Sequence, residues 1–140
     1  MRRFSLLAAV LLLSASPLHA DDAADPNAGV SGEHDFNMYC GSCHGTEGKG
    51  DGPVAARLEK KPADLSTLTQ RYGEFPRDKI AAFIDGTADV AAHGNREMPV
   101  WGKWFTLEAT QGLGGAEGDP ATVKRRIDNV VNYIETLQVK

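Results

Sequence analysis

The chain has 140 residues, of which 41% are hydrophobic and 24% charged, and its formal net charge at pH 7 is -4. A chain of this length makes one small domain with a modest core. The acidic balance argues against nucleic-acid binding, which usually needs a basic surface. The charge indicates a soluble protein with, at most, an attraction to a basic partner face.

The N-terminal segment has the layout of a secretory signal peptide. Two arginines precede an apolar run from Leu6 to Leu13, and the small residue Ala20 ends the segment. The run is much shorter than the roughly 20 residues that span a bilayer, which favours cleavage over an uncleaved anchor. We expect residues 1–20 to be a signal peptide and residues 21–30 a flexible lead-in. The mature protein would be periplasmic, without stable membrane insertion, and its 13 basic and 19 acidic residues would give a net charge of -6.

The first helix is predicted to begin after Ser31, a good N-cap with acidic residues following in the first turn. It runs into Cys40-Gly41-Ser42-Cys43-His44, which contains the only two cysteines of the chain. This Cys-x-x-Cys-His spacing is the signature of covalent c-type haem attachment. Two thiols about one helical turn apart can add to the two vinyl groups on one haem edge, while the following imidazole binds the iron.

Four glycines between Gly45 and Pro53 predict a loop that wraps closely round a flat ligand. A phosphate-binding loop is a weaker interpretation, because no strand precedes the glycines and no Gly-Lys-Ser/Thr follows them. Further along, a turn of helix is predicted around Leu68. Pro76 then opens a longer helix that ends before Gly86, and we expect this helix to pack on the cofactor.

The rest of the chain is predicted to contain loops and one long helix. Glycines and a proline indicate a loop from Gly86 to Gly102, and Gly112 to Gly118 is a second glycine-rich stretch. The last helix should begin with Asp119 as N-cap and Pro120 as first residue, and should end near Gln138. Its apolar stripe contains Val123, Ile127, Val130, Val131, Ile134 and Leu137. No alternating pattern is long enough to predict a strand, so the expected fold class is all-α.

The attachment motif and the residues before it resemble class I c-type cytochromes. That family has a glycine eight residues and an aromatic four residues before the first cysteine, and Gly32 and Phe36 hold these places before Cys40. The resemblance implies a small cytochrome c fold whose N- and C-terminal helices cross and whose loops enclose the haem. It also implies one haem c, covalently attached through Cys40 and Cys43, with His44 as its proximal ligand.

The resemblance assigns residues 31–140 to one cytochrome c domain and implies further roles. Tyr133 should pack where the first and last helices cross. The carbonyl of Pro53 should accept the ring N–H of His44. Residues 105–118 lengthen the link to the last helix relative to the shortest family members, and the default interpretation is a tolerated surface insertion.

Met98 is the predicted second axial ligand, because its Met-Pro-x-Trp-Gly context resembles the distal loop of the family. His93 is the alternative and would give a bis-histidine centre. Met38 is a poorer candidate, because it precedes the attachment motif on the same short helix. Trp101 and Trp104 could each donate an indole N–H to a haem propionate or form part of the apolar wall.

A haem bound by both His44 and Met98 has no open position for a substrate, which implies an electron carrier rather than an enzyme. We expect a periplasmic protein that shuttles single electrons between transient redox partners. The alternative is a cytochrome subunit of a periplasmic dehydrogenase or reductase complex. Three other classes stay open, namely a thiol–disulfide enzyme, a haem peroxidase in which Met98 dissociates, and a zinc site formed by Cys40, Cys43, His44 and His93.

Overall fold

A computed structural model of the protein describes residues 31–88, 98–110 and 119–139. The predicted signal peptide, the lead-in and the glycine-rich stretch 112–118 lie outside these ranges. Helices and turns follow one another along the described chain: α1 (Gly32–Asp35), a π-helical turn (Phe36–Cys40), α2 (Gly41–His44), a 3-10 turn (Ala55–Arg57), α3 (Leu68–Tyr72), α4 (Arg77–Asp85), α5 (Trp101–Thr110) and α6 (Pro120–Thr136). The described ranges contain no strand, and the all-α prediction is confirmed. None of these helices is long and apolar enough to cross a membrane.

The attachment motif ends a continuous helical segment made of α1, the π-helical turn and α2. The Ser31 hydroxyl accepts the N–H of His34 at 3.1 Å, so the predicted N-cap is confirmed. Within the segment, the N–H of Gly41 donates to the carbonyl of Phe36, five residues earlier. This spacing defines a π-helical turn, a feature that is frequently found at functional sites.

The crossing of α1 and α6 has the geometry that the resemblance implied. A Cβ atom added to Gly32 would lie 1.9 Å from the carbonyl oxygen of Asn129, so the two backbones approach closely. The fully buried ring of Phe36 packs on Tyr133 with 5.3 Å between ring centroids. The predicted places of these residues at the helix crossing are confirmed.

The final helix lies at the centre of the packing and contacts α1, α4 and α5. Asp119 caps its start by accepting the N–H of Thr122 at 3.1 Å, as predicted. Its stripe is buried apart from Leu137, which is half-buried. The hydrophobic core is formed by Phe36, Cys40, Leu68, Ile80, Ile84, Phe105, Val123, Ile127, Val130, Val131 and Ile134.

Helix α5 corrects two predictions. The loop predicted up to Gly102 ends at Val100, and the first residues of the supposed surface insertion, Phe105 to Thr110, are helical. Phe105 and Ala109 are buried against the core, so this part of the insertion is structural. Gly102 lies inside the helix, and a Cβ at this position would lie 2.2 Å from the carboxylate of Asp85. The glycine therefore permits the close approach of α5 to the end of α4.

Candidate functional site

The two cysteines lie on either side of the junction between the π-helical turn and α2. Cys40 is buried, Cys43 is half-buried, and neither thiol is in a disulfide. Burial and, to a smaller extent, the nearby Asp35 carboxylate together raise the pKa of the Cys40 thiol to about 12. Cys40 therefore belongs to the hydrophobic core as a protonated thiol at neutral pH.

His44 is the last residue of α2, and its ring orientation is set by a backbone carbonyl. Its Nδ1 atom lies 2.9 Å from the carbonyl oxygen of Ala63. A carbonyl can only accept, so Nδ1 carries the proton and Nε2 keeps its lone pair in the neutral ring. Burial lowers the pKa of His44, and the bond to Ala63 partly opposes this shift. The site thus favours a neutral imidazole, the form that binds a metal.

The prediction that the carbonyl of Pro53 accepts the ring N–H of His44 was wrong. Gly52 donates to the carbonyl of Cys43 at 3.1 Å, and Val54 donates to the carbonyl of Ser42 at 3.0 Å. These two bonds place the exposed Pro53 beside the end of α2, and the ring nitrogen of His44 is bonded to Ala63 instead. The acceptor comes from a later segment that folds back onto the glycine-rich loop.

The glycine-rich loop fixes the segment that contains Ala63. Gly50 donates to the carbonyl of His44 at 2.8 Å, and Leu65 donates to the carbonyl of Gly48 at 2.6 Å. A Cβ at Gly50 would lie 2.3 Å from the carbonyl of Pro62, and its φ of 71° also favours glycine. The loop thus wraps closely round the chain's own residues 62–65, and its contact with a flat ligand stays a prediction.

Two side chains secure this segment from the other side. The Asp64 carboxylate accepts the N–H of Ser66 at 2.9 Å and its hydroxyl at 2.7 Å. Gln138, just beyond α6, donates its side-chain amide to the carbonyl of Leu65 at 2.7 Å. The acceptor of His44 is therefore held both by a local turn and by the end of the final helix.

Met98 lies in the short segment before α5 and is half-buried against the same core as Cys40. Two residues further on, the side chain of Val100 packs at Gly86, where a Cβ would lie 2.4 Å from it. Trp101 contacts Tyr39, the neighbour of Cys40, with 5.5 Å between ring centroids. The structure thus brings the Met98 segment to the attachment segment, whereas His93 lies outside the described residues.

The two tryptophans have different environments. Trp101 is half-buried and packs on the core, as expected of an apolar wall. Trp104 is more than half exposed. Across the described parts of the chain, no three His, Cys, Asp or Glu side chains are grouped to hold a metal ion.

A largely buried set of charged side chains, which the sequence analysis missed, adjoins the attachment segment. Arg126 of α6 donates to both carboxylate oxygens of Asp35, at 2.6 and 2.9 Å, and to Glu108 of α5 at 2.8 Å. We call Asp35, Glu108 and Arg126 the charged cluster. A signal was present, because Arg126 lies three residues after Val123 and thus on the apolar side of its helix.

The guanidinium of Arg126 is well matched to this environment. Burial lowers its pKa, but the bonds to Asp35 and Glu108 outweigh this effect and the pKa lies above its ordinary value. The group also lies 4.1 Å from the ring centroid of Phe105. The cluster joins α1, α5 and α6 next to the attachment segment.

A family model described as cytochrome c oxidase, cbb3-type, subunit III matches residues 27–114. The matched range contains both cysteines, His44 and Met98, and it ends before α6. No curated protein and no solved structure matches the chain significantly.

Proposed function

Because the chain belongs to the family of cytochrome c oxidase, cbb3-type, subunit III, and is thus a c-type cytochrome, we propose that it carries one haem c with His44 and Met98 as axial ligands. A c-type cytochrome domain transfers electrons through its haem. In this proposal the protein shuttles single electrons between redox partners in the periplasm. The alternative is a cytochrome subunit of a larger oxidoreductase complex, which the family's description as an oxidase subunit favours.

The observation that carries the proposal is the hydrogen bond from Nδ1 of His44 to Ala63 at 2.9 Å. It fixes the tautomer in which Nε2 is free to bind iron, and it makes the imidazole a stronger donor. The free thiols of Cys40 and Cys43 precede this histidine on the same helical segment and would hold the haem covalently. These residues fit a c-type haem.

Met98 would provide the second ligand from a different part of the chain. Its segment is already packed on the core that contains Cys40, and the thioether is a known partner of histidine in electron-carrying haem sites. When bound, the haem supplies a one-electron couple between ferrous and ferric iron. Methionine ligation raises the potential of this couple relative to two histidines and leaves no position for a substrate.

The charge and the N-terminal sequence support a proposal for the partners and the location of the protein. Without residues 1–20 the chain carries 13 basic and 19 acidic residues, so a transient partner with a basic face would be attracted to it. An acidic surface of this kind speeds encounter more than it strengthens binding, which suits a carrier that must dissociate after each transfer. The layout of residues 1–20 supports export to the periplasm.

The first experiment is the visible spectrum of the mature holoprotein, oxidised and reduced. We expect covalent haem and, in the ferric state, the weak sulfur-to-iron charge-transfer band of methionine ligation. Met98→Ala should abolish this band and retain the haem. Met38→Ala is the matched control, because Met38 lies on the attachment segment but is 61% exposed, and it should retain the band.

Other spectra would contradict either the Met98 ligand or the covalent haem of the proposal. Covalent haem without the band in the unaltered protein would exclude Met98 as ligand, and a spectral change in His93→Ala would then identify a bis-histidine centre. Absence of covalent haem would overturn the proposal as a whole. Gel filtration of the native protein distinguishes a free carrier, which elutes alone, from a complex subunit, which elutes with other chains.

A further inference from the structure

The charged cluster is largely shielded from water. The side chains of Asp35, Arg126 and Glu108 are 1%, 14% and 21% exposed. Charges in such surroundings are screened less by solvent and salt than charges on the surface. An uncompensated charge at this place would therefore act on its neighbours more strongly than one on the surface.

The cluster contains two carboxylates and one guanidinium. Arg126 makes a bidentate salt bridge with Asp35, and its remaining guanidinium nitrogen donates to Glu108. One positive charge therefore faces two negative charges, and the cluster carries one net negative charge. Glu108 also accepts the hydroxyl of Tyr39 at 2.9 Å, a neutral donor that supports the carboxylate without cancelling its charge.

The cluster is adjacent to the residues that would hold the haem. Asp35 immediately precedes the π-helical turn that ends at Cys40, and Tyr39 is the residue directly before this cysteine. After burial itself, the Asp35 carboxylate is the next cause of the raised pKa of the Cys40 thiol. The cluster thus has one of its carboxylates close enough to act on the point of haem attachment.

We propose that the charged cluster of Asp35, Glu108 and Arg126 lowers the reduction potential of the haem by keeping one net negative charge beside the attachment segment. Ferric haem carries one more positive charge than ferrous haem, so a nearby negative charge stabilises the oxidised state. The inference rests on the haem c of the proposed function. It does not require Met98 to be the second ligand.

The test compares reduction potentials of holoprotein variants at neutral pH and low salt. Glu108→Gln removes one charge of the cluster with little change in shape and should raise the potential. Asp128→Asn removes the same charge from a side chain of α6 that is 45% exposed and paired with Lys124, so its shift should be smaller. Tyr39→Phe removes a hydrogen bond but no charge, and it should shift the potential less than Glu108→Gln.

Salt provides a second comparison. High ionic strength should cancel most of the shift caused by Asp128→Asn but preserve most of the shift caused by Glu108→Gln, because screening acts mainly on exposed charges. If Glu108→Gln does not fold, Asp35→Asn removes the other negative charge of the cluster and should also raise the potential.

Three results would overturn the inference. The first is a shift in Glu108→Gln no larger than that in Asp128→Asn. The second is an equal shift in Tyr39→Phe, since the effect would then come from lost structure. The third is a changed axial-ligand spectrum in Glu108→Gln, which would assign the cluster to ligand positioning. A missing methionine band in the unaltered protein counts only against Met98, because the potentials can still be compared.

Discussion

Gly32 sets the distance between the first and last helices by having no side chain. The nearest atoms to an added Cβ belong to the backbone of α6, with the carbonyl oxygen of Asn129 at 1.9 Å. A backbone carbonyl inside a helix cannot turn away as a flexible side chain can. Even a methyl group at this position must therefore push the two helices apart.

The Gly32→Ala variant should lower the free energy of unfolding by roughly 1–3 kcal/mol, the usual cost of overpacking. Guanidinium denaturation of the holoprotein measures this loss. Gly41→Ala is the matched control, because Gly41 is also buried and helical but an added Cβ would have its nearest neighbours at 3.7 and 3.8 Å. We expect the control to be unchanged or slightly more stable, and equal losses in both variants would refute the close-approach argument.

Asp64 should make the stability of the fold depend on pH. Hydrogen bonds from Ser66 hold the pKa of the Asp64 carboxyl below its ordinary value. A carboxyl whose pKa is lower in the folded state stabilises the fold above its unfolded pKa of about 3.9, and this stabilisation is lost as the pH falls through the folded pKa. Asp64→Asn should thus be less stable than the unaltered protein at neutral pH.

This stability difference should shrink as the pH falls below about 4. Denaturant midpoints of both proteins at several pH values test the expectation. Glu74→Gln changes an exposed carboxyl in the loop between α3 and α4 and provides the control, for which we expect a smaller difference. A difference in Asp64→Asn that stays constant from neutral to acidic pH would show that the charge of Asp64 does not contribute.

Helix α5 is the element by which the chain differs most from its sequence-based description. Its apolar side holds Trp101, Phe105 and Ala109, and this side packs against α4 and α6. Phe105 also lies beneath the guanidinium of Arg126. The helix therefore connects the Met98 segment to the core and to the charged cluster.

Phe105→Ala should cost about 3–5 kcal/mol of unfolding free energy, because it leaves a cavity and removes the surface on which Arg126 stacks. Leu107→Ala, two residues further along α5, changes a largely exposed side chain and should stay within about 0.5 kcal/mol of the unaltered protein. Urea denaturation followed by far-UV circular dichroism compares them. Similar small losses in both would mean that α5 is a surface addition after all.

The elements that could be predicted are those whose ends have local signals. Ser31 and Asp119 cap their helices with their own side chains, and Gly86 ends α4 with a φ of 87°. Such signals depend on neighbouring residues only. The start of α5 was missed because Gly102 is typical of a loop, and only its contact with Asp85 explains a glycine inside a helix.

The functional site, likewise, could be predicted only where its residues are close together in the sequence. The attachment motif is contiguous, so its residues could be named from spacing alone. The acceptor of His44 was not predictable, because Ala63 is nineteen residues away and is placed there by bonds between loop backbones. The pairing of Asp35 with Arg126 spans ninety-one residues and likewise depends on the helix crossing.

At the scale of the whole molecule, α6 holds the fold together, because α1, α4 and α5 all pack against it. The side chains of Val130 and Val131, in its middle, are almost completely buried. Helix α3 contributes one buried side chain, Leu68, and is otherwise at the surface. The helices should therefore differ in how readily they open.

Amide hydrogen exchange of the reduced holoprotein should show this order. We expect the slowest exchange around Val130 and Val131, where opening requires the core to be exposed, and faster exchange in α3, which can open locally. Exchange measured by NMR at single amides is sufficient. Protection in α3 equal to that in α6 would contradict the central role of the final helix.

The π-helical turn from Phe36 to Cys40 has a consequence for how the chain can change in length. This turn holds one residue more than an α-helical turn, so deleting one residue there would restore regular α-helical spacing with little rotation of the residues after it. Both cysteines and His44 would then keep nearly their present directions relative to the Gly32 contact. A deletion within α1 would instead rotate both cysteines and His44 by about 100°, so this segment should tolerate the loss of one residue only in the π-helical turn, at the exposed Asn37 or Met38.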